Sequence, residues 1–168
     1  MALSFTFTNT LTPGLQALRE KLKMGEQNGA DDRCKVKVAL QFLNWCSRGS
    51  SNESTVPPVK TGNLRGSASI FVGPQCVQNT RADYGIGTPA LSGGESSTDK
   101  ITIVYNTAYA AAMHEKEWNP GPVSSKGSSG PGGGVPGNKW IEKHLKADAQ
   151  NIFKLYAEFM KGEIERGA

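Results

Sequence analysis

The stretch of sequence that decides the fold lies between a segment with a helical pattern and one with a strand pattern. It reads Val56-Pro57-Pro58-Val59-Lys60-Thr61-Gly62-Asn63-Leu64-Arg65-Gly66-Ser67. The two prolines end any helix and favour an extended backbone before them. The Thr-Gly-Asn tripeptide is typical of a turn, because glycine tolerates a positive φ and the polar side chains bond to nearby backbone groups. The stretch therefore predicts a turn followed by a strand over residues 64–72, which Pro74 ends.

The N-terminal segment predicts a strand and then a helix. Residues 3–8 alternate between apolar and polar side chains, which is the period of a half-buried strand. Thr12 and Pro13 are typical of a helix start, and leucines follow at helical spacing. We expect a short amphipathic helix over residues 13–26.

A second helix is expected over residues 32–47. Its apolar side chains recur at helical spacing, and Asp31 and Asp32 supply a cap and a favourable charge at its start. Cys34 and Cys46 are interpreted as small core residues of this helix. No Cys-x-x-Cys pair is present, so neither a zinc knuckle nor a redox motif is indicated.

Alternating side chains follow the turn. The two faces of the 64–72 strand are expected to carry Ala68, Ile70 and Val72 on one side and Ser67, Ser69 and Phe71 on the other. A short strand is expected around Val77 and Tyr84, and a stronger one over residues 100–106. An Ala-rich sequence then predicts a short helix over residues 108–117.

Two segments are expected to lack regular structure. Residues 50–55 read as a Ser-rich linker. Residues 118–137 carry seven Gly, four Pro and four Ser, and offer almost nothing apolar to bury. We interpret them as one long flexible loop, and a loop of this length in a small domain is usually functional or disordered.

The strongest helical pattern begins after Asn138, which is expected to cap it. It runs for about 26 residues, and its apolar side chains recur every three or four positions. They are Trp140, Ile141, Leu145, Ala149, Ile152, Phe153, Tyr156, Phe159, Met160 and Ile164. Two alternatives stay open for this wide face: it covers the sheet of its own chain, or part of it packs on a neighbouring subunit.

Size and composition fit a single domain over residues 1–168, with an apolar content of 37%. The formal net charge is +4, and acidic and basic residues are interspersed without a Lys/Arg run of five. A dedicated nucleic-acid binder would show a basic stripe with interleaved aromatics, which is not evident in the linear sequence. The N-terminus does not have the pattern of a signal peptide, and no window approaches the length of a membrane span.

Residues that could carry chemistry are few. His114 and Glu115, with Glu117 nearby and His144 on the last helix, are the candidates for metal or acid–base work. His114 and Glu115 would point apart on a helix, and nothing in the sequence supplies the third ligand of a metal site. No Gly-x-Ser-x-Gly elbow occurs, and the Gly-rich segment 127–137 lacks the Gly-Lys-Ser/Thr ending of a phosphate loop. We expect solvated or interface polar residues here, and we predict no catalytic residue, metal or cofactor.

Three segments together resemble the neck or tail-completion proteins of tailed bacteriophages. The first is a Pro-rich turn after paired helices, and the second is Thr61-Gly62-Asn63-Leu64-Arg65 opening a strand. The third is Val104-Tyr105-Asn106-Thr107-Ala108-Tyr109-Ala110-Ala111, with His114-Glu115 at its end. A long loop and a final helix from Lys139-Trp140-Ile141 follow, as they do in that family.

The resemblance implies an α+β subunit, in which a small antiparallel sheet is flanked by two N-terminal helices and a long C-terminal helix. It implies a ring, a hexamer or a dodecamer, that joins tail to capsid in the virion after assembly in the host cytoplasm. Its partners would be copies of itself and other neck, connector or tail-tube proteins. DNA would pass through without specific binding, and no membrane would be involved.

The residues expected at its assembly interfaces are Thr61, Gly62, Asn63, Leu64, Arg65, Tyr109, His114, Glu115, Trp118 and Trp140. Two alternatives are open for Arg65, whose planar guanidinium suits paired recognition: a salt bridge to a neighbouring subunit, or a solvated charge at the sheet edge. On this interpretation, loop 118–137 becomes ordered against a neck or tail partner. Deletion of residues 122–135 should then block the joining of tail to capsid. The alternative functions are a tail terminator, a minor capsid protein or, from other classes, a small nucleic-acid-binding module or a small hydrolase.

Overall fold

A computed structural model of the chain describes residues 2–6, 17, 20, 29–58, 63–79, 100–105, 107–117 and 134–167. The strands are β1 (Ala2–Thr6), β2 (Thr55–Val56), β3 (Ala68–Val72), β4 (Gln75–Asn79), β5 (Lys100–Tyr105) and β6 (Val135–Pro136). The helices are α1 (Ala30–Arg48), α2 (Asn63–Gly66), α3 (Ala110–Glu115) and α4 (Trp140–Gly167).

Four of the strands form one antiparallel sheet in the order β1-β5-β3-β4. Strand β5 buries Ile101, Ile103 and Tyr105 and leaves Thr102 and Val104 partly exposed, which confirms the predicted alternation. Pro74 lies in the turn between β3 and β4, so it ends the strand as expected. Together with the helices, this sheet confirms the α+β class.

The strand after the turn is shorter than predicted. Asn63–Gly66 forms a single helical turn, closed by the Ser67 side chain, whose hydroxyl donates to the Leu64 carbonyl over 2.7 Å. The strand itself begins only at Ala68. All of its residues are buried, so both faces of the strand are covered. Strand β3 lies between β5 and β4, which cover its edges, and the helix over residues 30–48 packs on it.

Helix α1 confirms the predicted second helix and its cysteines. Cys34 and Cys46 are both free and buried, and burial raises the pKa of Cys34 to about 11. The cap differs from the prediction, since Gly29 precedes the helix and Asp31 and Asp32 lie inside its first turn. The helix packs on β3 and β5, and this contact forms the centre of the core.

Helix α4 packs chiefly on α1 and runs antiparallel to it, since Arg33 near the start of α1 contacts Glu163 and Ser50 just after its end contacts Asp148. Most of its apolar face therefore covers a helix of its own chain. Trp140 at its start meets Tyr105 of β5, so the expectation that the face covers the sheet of its own chain holds in part. Phe153 is the exception and remains 64% exposed. The residue before the first helical residue is Lys139 (φ 51°) and not Asn138. The Lys139 carbonyl accepts a hydrogen bond from the Lys143 amide in the first turn of the helix.

A second, two-stranded ladder joins the two segments expected to lack structure. Strand β2 begins at the last residue of the expected linker and pairs in parallel with β6 at the end of the expected loop. Position 134, beside this ladder, requires glycine, because a Cβ there would lie 2.5 Å from Val56 Cγ1. The linker and the last residues of loop 118–137 are thus ordered by their contact with each other, a pairing that neither sequence shows alone.

Several predictions fall outside the described residues. Only Ala17 and Glu20 of the predicted 13–26 helix are described, and both are helical. Tyr84 and most of the 118–137 segment also lie outside, whereas Val77 is within β4. No helix among the described residues is long and apolar enough to cross a membrane.

Candidate assembly interface and the polar clusters around it

The segments that resemble the phage family meet in the core around Trp140. Leu64 from the turn, Tyr105 from β5 and Ala110 from α3 are buried in one cluster with Trp140 and its neighbour in α4. The Tyr105 and Trp140 rings meet edge to face, with centroids 6.1 Å apart. Burial raises the pKa of Tyr105 well above its usual value. These segments are distant in sequence, and the core brings them together.

His114 ties α3 to the start of α4. Its ring stands edge-on to Trp140 with centroids 4.7 Å apart, and its Nδ1 lies 2.9 Å from Glu115 Oε1. Its backbone carbonyl accepts the Lys139 amide over 2.8 Å, beside the positive-φ residue that begins α4. The bond from His114 is the main reason that the pKa of Glu115 is lowered. His114 is completely buried, so the expectation of a solvated or interface residue is corrected.

Arg65 is bound within its own chain. Its Nε and Nη2 both donate to the Pro57 carbonyl, over 3.1 and 3.0 Å. The guanidinium is half-buried, and burial lowers its pKa. Neither alternative for Arg65 described this role, in which it fixes the Pro-rich approach to the turn.

The structure places the remaining predicted interface residues differently from one another. Leu64, His114 and Trp140 are buried in their own chain. Their side chains therefore belong to the core, which corrects the prediction that they lie at an interface. Tyr109, which is 45% exposed, and Glu115 remain on the surface. Asn63 begins α2, while Thr61, Gly62 and Trp118 lie outside the described residues.

A second polar cluster, missed by the sequence analysis, surrounds His144 and Asp148 in α4. The two side chains are completely buried, and His144 Nδ1 lies 3.0 Å from Asp148 Oδ2. His144 Nε2 lies 2.9 Å from the Thr55 carbonyl, and Ser50 and Asn52 donate to the Asp148 carboxylate. The cluster fastens residues 50–55 to α4 and corrects the interpretation of His144 as solvated.

The His144 cluster contains serine, histidine and aspartate, but not in a catalytic arrangement. The Ser50 hydroxyl donates to Asp148 and not to His144, and both His144 nitrogens already face acceptors. A nucleophile needs its own bond to the base. No group of three or more His, Cys, Asp or Glu side chains that could hold a metal ion occurs among the described residues.

A third cluster joins the start of α1 to the end of α4. Glu163 is buried and accepts from Arg33 over 2.5 Å, from Lys37 over 3.3 Å and from Arg166. The bonds from Arg33, Lys37 and Arg166 lower the pKa of Glu163 against the opposing effect of burial. Two turns earlier in α4, Tyr156 donates to Asp31 over 2.5 Å.

The outer face of α4 carries a row of lysines that the linear sequence hides. Lys143, Lys146, Lys154 and Lys161 fall within about 80° of one another around the helix axis, at about 100° per residue. They lie opposite the buried face of the helix. We call these four residues the lysine stripe. Their spacing of three, eight and seven positions is the signal in the sequence, and the exposed Glu158 and Glu165 lie beside them.

Comparison with protein-family models, with curated proteins and with solved structures finds no match to this chain.

Proposed function

We propose that this chain is a structural protein of a tailed-phage virion, which forms a ring at the head–tail junction and joins tail to capsid. The observation that supports this most is the meeting of the resembling segments in one core. The Tyr105 and Trp140 rings, from two of those segments, meet edge to face, and Leu64 and Ala110 belong to the same core. If the resembling segments are alike because they support the same fold, their apolar residues should lie in one core.

The polar clusters also favour a mechanical role. His114, His144, Asp148 and Glu163 are buried and engaged in contacts that hold helices and loops in place. Such a subunit acts by packing against its neighbours. The exposed Tyr109 and Phe153 are the candidate apolar contacts between subunits, since aromatic residues are enriched at interfaces.

The first experiment is the mass of the purified chain by light scattering across concentration, with negative-stain imaging. We expect a closed ring of about six to twelve copies, because subunits joined head to tail close into rings. The same measurement on Phe153→Ser and Tyr109→Ser tests the contacts, with Lys116→Ser, also at an exposed position, as the control. A chain that stays monomeric and also fails to join to isolated tails or capsids would remove the proposal.

The joining role has its own test. Residues 122–132 can be deleted without touching β6, whereas the longer deletion of 122–135 would remove Gly134 and Val135 from the ladder. We expect the shorter deletion to leave the fold intact and to block joining of tails to capsids. Normal joining by the deleted chain would exclude a role for this loop.

A nucleic-acid-binding module is the second candidate, because the lysine stripe gives it a surface. A tail terminator or minor capsid protein would share the ring but not the position in the particle. Immunolabelling of intact particles distinguishes these: label at the junction supports the neck role, label at the capsid surface supports the minor capsid role, and absence of the chain from particles supports the module.

A further inference from the structure

Several buried polar atoms are left without a hydrogen bond where β5, α3 and the start of α4 meet. Tyr105 and Trp140 are buried, yet neither the tyrosine hydroxyl nor the indole N–H makes a bond within the described part of the chain. The same holds for His114 Nε2, although Nδ1 of this ring lies 2.9 Å from Glu115 Oε1. The Thr107 hydroxyl, two residues after Tyr105, is a further such atom. Burial without a bond is costly, so each of these atoms calls for an explanation.

The three rings lie against one another. The Tyr105 and Trp140 rings meet edge to face with centroids 6.1 Å apart, and the His114 and Trp140 rings do so at 4.7 Å. Trp140 therefore contacts both of the other rings. The residues with unbonded polar atoms form one contiguous group in the core, and a single ligand can reach several of them.

The Tyr105 hydroxyl has polar neighbours without being bonded to them directly. Burial raises the pKa of Tyr105, and the Ser47 hydroxyl and the Trp140 N–H act in the opposite direction. The indole N–H is thus close enough to act on the tyrosine, but the geometry of a direct bond is missing. Polar groups held beyond direct bonding distance are those that a water molecule can bridge.

We propose that a water molecule is bound in the core between Tyr105, Trp140 and His114 as a permanent part of the fold. A buried water typically makes about three hydrogen bonds to groups that would otherwise be unsatisfied. The indole N–H can only donate, so it donates to the water oxygen, and the tyrosine hydroxyl can donate or accept. His114 supplies an acceptor for the water, because a neutral ring that donates from Nδ1 to Glu115 keeps its lone pair on Nε2.

An ion fits this place less well than water. The atoms without a partner belong to a phenol, an indole, an imidazole and an alcohol, and a buried ion needs a charged partner. Arg65 acts on Tyr105, but its Nε and Nη2 already donate to the Pro57 carbonyl. A neutral molecule that both donates and accepts matches the site.

The bound water goes beyond the proposed function and does not depend on it. It joins β5, α3 and α4 through Tyr105, His114 and Trp140. The segments that resemble the phage family meet at this same place, so the water completes the contact between them.

The test is water-oxygen magnetic relaxation dispersion of the full chain, which counts the water molecules held for longer than the tumbling time of the protein. We expect the double variant Tyr105→Phe/Trp140→Phe to hold one water fewer than wild type. It leaves His114 as the remaining partner of the three, fewer than the roughly two to four that a buried water needs. Both positions keep an aromatic ring, and circular dichroism establishes that the variant is folded.

The matched control is Ser67→Ala, which removes a buried hydroxyl that already donates directly to the Leu64 carbonyl over 2.7 Å. We expect it to keep the wild-type count. An equal count in wild type and the double variant would overturn the proposal, and so would an equal fall in the double variant and in Ser67→Ala.

A second measurement needs only the wild type and one mild variant. We expect a nuclear Overhauser effect between the Trp140 indole proton and water, with the sign of a long residence time. It should persist in Tyr105→Phe, because Trp140 and His114 still hold the water. No signal in wild type would overturn the proposal, and so would its loss in Tyr105→Phe, since it would then have come from the tyrosine hydroxyl. Neither measurement depends on ring formation, so the two proposals fail separately.

Discussion

His144 and Asp148 form a buried pair in which the histidine faces an acceptor on both sides. Nδ1 lies 3.0 Å from Asp148 Oδ2, and Nε2 lies 2.9 Å from the Thr55 carbonyl. A neutral imidazole has only one N–H, so it can donate in only one of these directions. Both bonds are made when the ring carries two protons and its charge faces the carboxylate. The pair therefore connects α4 to β2, which in turn holds β6.

Replacing His144 with Gln should destabilise the fold by about 1–3 kcal/mol, because the amide cannot take both places of the ring and one buried acceptor loses its contact. Asp148→Asn should cost less, since a neutral His144 can accept at Nδ1 and still donate to Thr55. Urea denaturation of both variants measures the difference. A larger loss for Asp148→Asn than for His144→Gln would contradict the arrangement of protons described here.

Glu163→Gln should lower stability at neutral pH and have less effect in acid. Hydrogen bonds from basic neighbours lower the pKa of Glu163 in the folded state below its unfolded value of about 4.3. Its contribution is therefore complete above that unfolded value and is lost as the pH falls through the folded one. The melting temperatures of wild type and variant should converge as the pH drops below about 4.

The control for Glu163 is Glu165→Gln on the same helix. Glu165 pairs with Lys161 on the surface at 3.8 Å, and such exposed pairs contribute about 0–1 kcal/mol. We expect almost no change in the melting temperature at any pH. If both variants behave alike, the buried position of Glu163 has no special importance.

Helices α1 and α4 and strand β5 could be predicted because their patterns repeat within a single segment. The two-residue strands β2 and β6 could not, because each is set by the other across about 80 residues of chain. The same limit applies to the site. The four-residue spacing of His144 and Asp148 is visible in the sequence and places them on one helical face. Their burial depends on Ser50, Asn52 and Thr55, which only the fold brings there.

Gly134→Ala and Gly162→Ala should change stability in opposite directions. At Gly134 the added Cβ would lie 2.5 Å from Val56 Cγ1 and 3.1 Å from the Arg48 carbonyl oxygen, so β6 must move. Overpacking of this kind costs about 1–3 kcal/mol. At Gly162, inside α4, a Cβ meets nothing within 4 Å, and alanine should stabilise the helix by about 0.5–1 kcal/mol. Calorimetric melting of both variants is sufficient, and equal shifts would contradict the close approach at Gly134.

Arg65→Lys separates a role within the chain from a role between subunits. Arginine donates from Nε and Nη2 to the Pro57 carbonyl, and lysine keeps the charge but cannot reproduce this fork. We expect a loss of about 1 kcal/mol in the stability of the isolated chain, measured by urea denaturation, as for one or two lost hydrogen bonds. Arg65→Met keeps a similar apolar stem without any donor and should lose more. If the lysine variant instead folds with unchanged stability but fails to form rings, Arg65 acts across the subunit boundary, and its bond to Pro57 is secondary.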